Sequence, residues 1–384
     1  MKHNFPLLLA LLLLSVTASS QQNKPADASW MMLPFIKADQ VNPVLIPAPT
    51  RYQDPILKTS VGWEERYVYN PAAIVRNGKV YLLYRAEDSI GRTGGTSRIG
   101  LASSDDGLHF TRRPAPVLYP DNDSLKIYEW EGGCEDPRIV EDENGKYYLT
   151  YTAYDGKKAR LFVATSDDLI TWKKHGSVFK QVKNGAYLNY WSKAGSIVCR
   201  QKDGKLVAAR INGKYWMYWG ESNIYAAVSD DLINWTPIEE TDPAKKSYDS
   251  LRKYESFKVV FAPRKKRFDS YLVEPGPPAL ITDKGILFLY NSRNDPKDGD
   301  KKLAPGTYAA GQILLDKTDP LKVLSRSDEY FLSPNKPYEI KGNVNNVCFL
   351  EGLVLFKGKW FLYYGTADSK IAVAVHDPAN KAEH

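Results

Sequence analysis

From Asn70 onward the chain is built of short β-branched and aromatic runs separated by Gly, Asn and Asp turns. Those runs predict strands, and no stretch of comparable length has helical periodicity. The runs recur in a fixed order. Asn70-Pro71-Ala72-Ala73-Ile74-Val75 leads to Lys79–Arg85, then Arg98–Ala102, then Ser104-Asp105-Asp106. The same order returns from Glu135 to Asp168 and from Lys193 to Asp231, with Ser104, Ser166 and Ser229 spaced 62 and 63 residues apart. Two looser copies follow, Pro277–Leu315 and Asn346–Val375. One such unit of about four short strands cannot bury both its faces alone, whereas units set radially bury them against one another. The expected fold is therefore all-β, a five-bladed β-propeller. A β-sandwich is the alternative, but it has no need of an equal-length repeat.

Within the repeat, the Ser-Asp-Asp segments read as turns. Their recurrence at one point of three units argues for backbone closure by Asp, with Phe110, Trp172 and Trp235 packing between blades. The polar stretches 241–268 and 292–307 read as loops over one face.

Ahead of the repeat, Lys2 and His3 precede the apolar run Phe5–Val16 and the small residues Thr17-Ala18-Ser19-Ser20. This is the order of a secretory signal peptide, and the run is too short to span a bilayer. It predicts a signal peptide over residues 1–20, cleaved near residues 18–21, and an exported, periplasmic protein that is free of the membrane once cleaved. Residues 21–60 are expected to form an N-terminal extension packing on the propeller of residues 61–384.

Composition adds three limits. Three cysteines, Cys134, Cys199 and Cys348, allow at most one internal disulfide and form no metal-binding pattern. The net charge of +7 is spread along the chain, and no basic stripe interleaved with aromatics accompanies it, which argues against a nucleic-acid partner. The 25 Tyr and 9 Trp suit both strands and sugar-stacking surfaces.

In a propeller the start of each innermost strand faces the central channel. Across the five copies that position holds Asn70, Asp136, Lys193, Glu274 and either Asn345 or Asn346. Two of these are carboxyls, the pair that glycosidic cleavage requires: one acid for the leaving oxygen and one base for water. Burial is expected to raise the proton affinity of such an acid. The bland alternative, two satisfied structural carboxylates beside proline turns, stands next to it.

The segments carrying these residues resemble glycoside hydrolase family 130. Gly133-Cys134-Glu135-Asp136-Pro137-Arg138-Ile139 is similar to its core motif. Tyr84-Arg85-Ala86-Glu87-Asp88, Ser97-Arg98-Ile99-Gly100, Tyr218-Trp219-Gly220, Val273-Glu274-Pro275-Gly276 and Thr366-Ala367-Asp368 extend the similarity over residues 65 to 380. The resemblance implies a five-bladed propeller acting on β-mannosides without a cofactor or metal. It places Asp136 as proton donor, with Glu221 and Glu274 as candidates for the general base. Asn70, Arg85, Asp88, Arg98, Arg138, Lys193, Asp269 and Asp368 would line the sugar subsites. Most family members are phosphorylases, while an exported Bacteroidetes-type group are inverting β-1,2-mannosidases.

Two features favour the hydrolases. Export suits hydrolysis, since a sugar phosphate made outside the inner membrane is hard to recover. A phosphate site also wants converging cations, and none of the five histidines is placed to join Arg138, whereas Glu221 would repel phosphate. The expectation is an inverting β-mannosidase, most readily for β-1,2 linkages, with a β-manno-oligosaccharide as its partner. A mannoside phosphorylase yielding mannose 1-phosphate and a non-catalytic glycan-binding propeller are the alternatives. An arabinan- or xylan-cleaving propeller would carry different motifs around its acids.

Overall fold

The computed structural model describes residues 28–91, 94–246 and 257–380. The predicted signal peptide lies outside the described residues, as do residues 247–256 of one predicted loop. Among the described residues the architecture is all-β, with two four-residue α-helices, Lys126–Glu129 and Pro337–Ile340, and one 3-10 segment, Val182–Asn189.

The strands fall into five antiparallel units that follow the sequence repeat. The first is Tyr67–Arg76, Lys79–Glu87, Ser97–Ser104 and Thr111–Arg112. The second is Gly133–Glu141, Tyr147–Tyr154, Ala159–Ser166 and Lys173–Ser177. The third is built on Ser196–Ile197, Lys214–Trp219, Ile224–Ser229 and Trp235–Pro237. In the fourth, Leu272–Pro275 and Leu280–Ile281 both pair with Ile286–Arg293, followed by Tyr308–Leu315 and Val323–Arg326. The fifth holds Cys348–Phe356, Lys359–Thr366 and Lys370–His376, and its outer strand is Ile36–Lys37 from near the start of the chain. Short parallel contacts link units, as between Ser97 and Gly133. There Gly133 has φ +114°, and a Cβ would come within 2.2 Å of the Ser97 carbonyl oxygen, so only glycine allows the two backbones to meet.

The Ser-Asp-Asp segments are turns, as expected. Ser104, Ser166 and Ser229 accept from the amides of Gly107, Leu169 and Leu232, and Asp106, Asp168 and Asp231 each accept two amides further on. Trp172 and Trp235 donate back to the carbonyls of Leu169 and Leu232 while packing into apolar clusters. One expected loop is partly strand: Val259–Phe261 pairs with Ile224–Ser229, because Val259, Val260 and Phe261 are an apolar β-forming run inside an otherwise polar stretch.

A second repeated device escaped the hydrophobic pattern. In four of the five units a tyrosine on the second strand donates to a fully buried carboxylate, and a cation from the outermost strand pairs with that carboxylate. The sets are Tyr84–Glu64–Arg112 at 2.8 and 3.0 Å, and Tyr151–Glu129–Lys174 at 2.8 and 2.6 Å. The others are Tyr290–Asp269–Arg326 at 2.8 and 2.5 Å, and Tyr364–Glu339–Lys37 at 2.8 and 2.7 Å. All four carboxylates are 0 % exposed. Each trio closes its unit from inner segment to outer strand, and a buried charge tolerates that place only because both partners are present. In the third unit Tyr218 donates instead to the Pro320 carbonyl.

Candidate active site

Asn70 and Asp136 sit at register shifts in the innermost strands of the first two units. Both have positive φ, +47° and +48°. A bulge re-aims a side chain out of the strand's alternation, and Asn and Asp are the non-glycine residues that best tolerate this backbone. The result is a direct contact, Asn70 Nδ2 donating to Asp136 Oδ1 at 3.0 Å. The fifth unit has the same shift between Leu350 and Gly352, so the residue at this position is Glu351. Asn345 and Asn346, the expected fifth pair, lie earlier in a loop; Asn345 is exposed and accepts from the Gly342 amide.

Arg85 organises one side of the site. Its Nη1 donates to Asp136 at 3.0 Å, and its Nη2 reaches Glu87 at 2.6 Å and Glu135 at 3.0 Å. Tyr69 donates to Glu87 beneath it. Lys193 lies on the other side, its Nζ 3.7 Å from Asp136 Oδ2. Burial opposes the charge of Lys193, but Glu274, Glu221, Asp136 and Glu135 outweigh it and raise its proton affinity. Trp191 Nε1 donates to Glu221 at 2.8 Å. Glu274 is 5 % exposed, and its Oε1 accepts no hydrogen bond.

The proton affinities differ from the sequence-based expectation at Asp136. Burial does act to raise it, yet Arg85, Lys193 and the Asn70 hydrogen bond hold its carboxyl well below the usual range. The groups pushed up are its neighbours. Burial raises Glu274 to about 7, with Lys193 opposing and Glu221 adding. Burial likewise raises Glu135 to about 7 and Asp368 to about 6, with Arg85 opposing in each case.

Asn70, Arg85, Asp136, Lys193, Glu221, Glu274 and Asp368 thus interact as one cluster. The structure does not bring the remaining predicted sugar ligands to it. Asp88 and Arg98 are 0 % exposed and paired at 2.7 Å; Arg98 also binds Asp54 at 2.6 Å, and Asp88 closes the turn before Thr96. Asp269 belongs to the Tyr290–Arg326 trio and to Arg264. Arg138 is buried behind the cluster, bonded to main-chain carbonyls. All four are engaged by protein partners that hold their segments in place.

Glu87, Glu135 and Glu351 were missed by sequence reasoning. Glu87 could have been found from its spacing, since it shares a strand face with Arg85 two residues away. Arg293 was missed too: it stacks on Tyr271 and Tyr308, and Tyr308 in turn feels Glu274, Asp368 and Lys193. A separate cavity of about 500 Å³, between Val117–Leu125 and Ile170–Lys174, holds none of the cluster. All three cysteines are buried free thiols. Among the described residues no group of three or more His, Cys, Asp or Glu side chains is placed to hold a metal ion.

Comparison with known proteins identifies the family. A family profile described as beta-1,4-mannooligosaccharide phosphorylase matches residues 39–380. A 1,2-beta-oligomannan phosphorylase of Thermoanaerobacter sp. (strain X514) is 32 % identical over 82 % of this chain and 90 % of its own length. A solved glycosyl hydrolase from Bacteroides ovatus is 46 % identical, with a TM-score of 0.87 over 92 % of this chain and 96 % of that one. Another structure, from work describing hydrolases of beta-1,2 mannosidic linkages in Candida mannan within the GH130 mannoside phosphorylases, is 44 % identical. Its TM-score is also 0.87, over 92 % of this chain and 96 % of that one. The profile match and these relatives establish that the chain belongs to glycoside hydrolase family 130.

Proposed function

We propose that this protein is an exported five-bladed propeller that hydrolyses β-mannosidic bonds, with β-1,2-mannosides as the preferred class. The observation that carries the choice of hydrolysis is the charge of the site. Two cations, Arg85 and Lys193, stand among six carboxyl groups, Glu87, Glu135, Asp136, Glu221, Glu274 and Asp368, with Arg138 and Glu351 paired behind them. Such an excess of acid repels a phosphate dianion and suits activation of neutral water. The 44 % identical relative described among hydrolases supports the same reading.

The chemistry requires one proton delivered to the glycosidic oxygen and one removed from water. Glu135 and Asp136 both contact Arg85; burial raises Glu135 to about 7, whereas Arg85, Lys193 and Asn70 keep Asp136 ionised, so near neutral pH Glu135 is the group of this pair that holds a proton. Asp136 then acts as the relay: it takes up a proton as the sugar displaces its charge partners and passes it to the leaving oxygen, directly or through a sugar hydroxyl. Glu274, poised at about 7 and with a free oxygen, takes the proton of the attacking water, with Glu221 the other candidate for this step.

Phosphorolysis is the second reading. It is favoured by the curated relatives, among them the Thermoanaerobacter oligomannan and mannobiose phosphorylases at 32 % and 31 % identity. A panel of β-1,2-, β-1,3- and β-1,4-mannobioses, assayed with and without phosphate, separates the two. Free mannose formed at a rate indifferent to phosphate is the expected result. Phosphate-dependent mannose 1-phosphate would establish the second reading in place of the first.

A further inference from the structure

We infer that Glu351 is a positioning residue: acting through Arg138, it fixes the placement of the proton-donor segment against the segment that carries Glu274. This rests on the proposed roles of Asp136 and Glu274 and extends them to a third unit.

The geometry is a single guanidinium shared by three units. Arg138 Nη1 donates to the main-chain carbonyl of Asp136 at 3.1 Å, within its own unit. Its Nε and Nη2 donate to the carbonyls of Gly276 at 3.0 Å and Pro275 at 2.7 Å, the two residues after Glu274. One side chain therefore ties the backbones of both reacting carboxyls, although they belong to different units and are 138 residues apart in sequence (Asp136 to Glu274). Its planar fork holds the three carbonyls from three separate nitrogens in fixed directions, whereas a lysine would offer its three donors from a single point.

Glu351 sets the orientation of that fork. Its Oε1 lies 3.1 Å from Arg138 Nη2, and its side chain is 0 % exposed. Neither of its oxygens accepts a hydrogen bond, so the contact with Arg138 is its sole described polar engagement. Burying a carboxyl with so little compensation costs stability and is retained here at the bulge position occupied by Asn70 and Asp136 in the first two units. Arg138, Asp136, Glu274 and Arg85 are the charged groups that face it. Burial pushes its carboxyl well up, so a neutral side chain of the same shape is an adequate substitute.

Two variants and two readouts test this. Glu351→Gln keeps an oxygen for Arg138 and is expected to retain kcat within about 3-fold. Glu351→Ala removes it and is expected to lower kcat on β-mannobiose by roughly 30-fold with KM changed less than about 3-fold, and to displace the acid limb of the pH profile. Crystal structures of both variants supply the second readout: Arg138 should leave the Pro275 and Gly276 carbonyls in the alanine variant only. Undisturbed Arg138 with wild-type kcat in Glu351→Ala would overturn the inference, as would equal loss in both variants. If the wild-type protein cleaves no β-mannoside, the proposed reaction falls, while the crystal structures still decide what Glu351 holds.

Discussion

At Asp136 three neighbours outweigh burial. Arg85, Lys193 and Asn70 stabilise its charge, and the raised proton affinity appears on Glu135 and Glu274 instead. Replacing Asp136 with Asn leaves the fold intact and is expected to lower kcat by about 10³-fold or more, read in single-substrate kinetics with a matching thermal melt. Retained activity would remove Asp136 from the reaction. Glu274 makes a pH prediction with a definite sign. Its folded value of about 7 lies above the ordinary 4.5, so the folded state binds the proton more tightly than the unfolded chain. Its contribution to stability is complete below about pH 4.5 and is lost as pH rises through about 7. Glu274→Gln should therefore be more stable than wild type above pH 7, by about 3 kcal/mol, and equal to it below about pH 4.5. Melting curves that stay parallel across that range would contradict the assignment. The residues legible in the sequence were those at the repeated inner position, Asn70, Asp136, Lys193 and Glu274. Glu351 was not, because the bulge that aims it leaves no mark in the alternation of apolar and polar positions.

At the scale of elements, the Tyr290–Asp269–Arg326 trio engages Asp269, and a separate buried network, Asp88–Arg98–Asp54, engages Asp88 and Arg98. A carboxylate beside an arginine reads the same in sequence whether the pair faces a channel or closes a unit; only the outer-strand partner, brought back by folding, tells them apart. The Ser-Asp-Asp turns were legible because their chemistry is local, completed within four residues. The trios join residues up to 302 apart in sequence, as between Lys37 and Glu339. Asp269→Ala is expected to destabilise the protein by about 3–5 kcal/mol, since it leaves Arg326 and Arg264 buried against an unpaired site. KM should be unchanged in whatever fraction remains folded. A raised KM at unaltered stability would return Asp269 to the sugar site.

Across the whole molecule, the strand Ile36–Lys37 pairs with Lys370–His376, so the first and last strands of the described residues meet in the fifth unit. Lys37 then completes the last trio through Glu339, and Arg98 reaches back to Asp54. Unfolding of the first 60 residues should therefore expose the fifth unit as well. Its Cys348 is buried, as are Cys134 in the second unit and Cys199 on the strand Cys199–Lys202, which pairs with Leu280–Ile281 of the fourth. Thiol-labelling in the native state is expected to be negligible, and denaturant should expose all three thiols in one transition. Labelling of one cysteine ahead of the others would mark an independently opening unit. The repeat that predicted this arrangement was legible because every unit must bury the same faces against its neighbours.

We propose that an acid-rich site built on Asp136 and Glu274 directs water to a β-mannoside. The decisive measurement is proton NMR of the first-formed mannose from β-1,2-mannobiose in phosphate-containing buffer. An initial excess of α-mannose over the equilibrium anomer ratio is expected, because the non-reducing residue is released as the α anomer while the reducing-end residue brings both; an initial excess of β-mannose, or mannose 1-phosphate, would rule the proposal out.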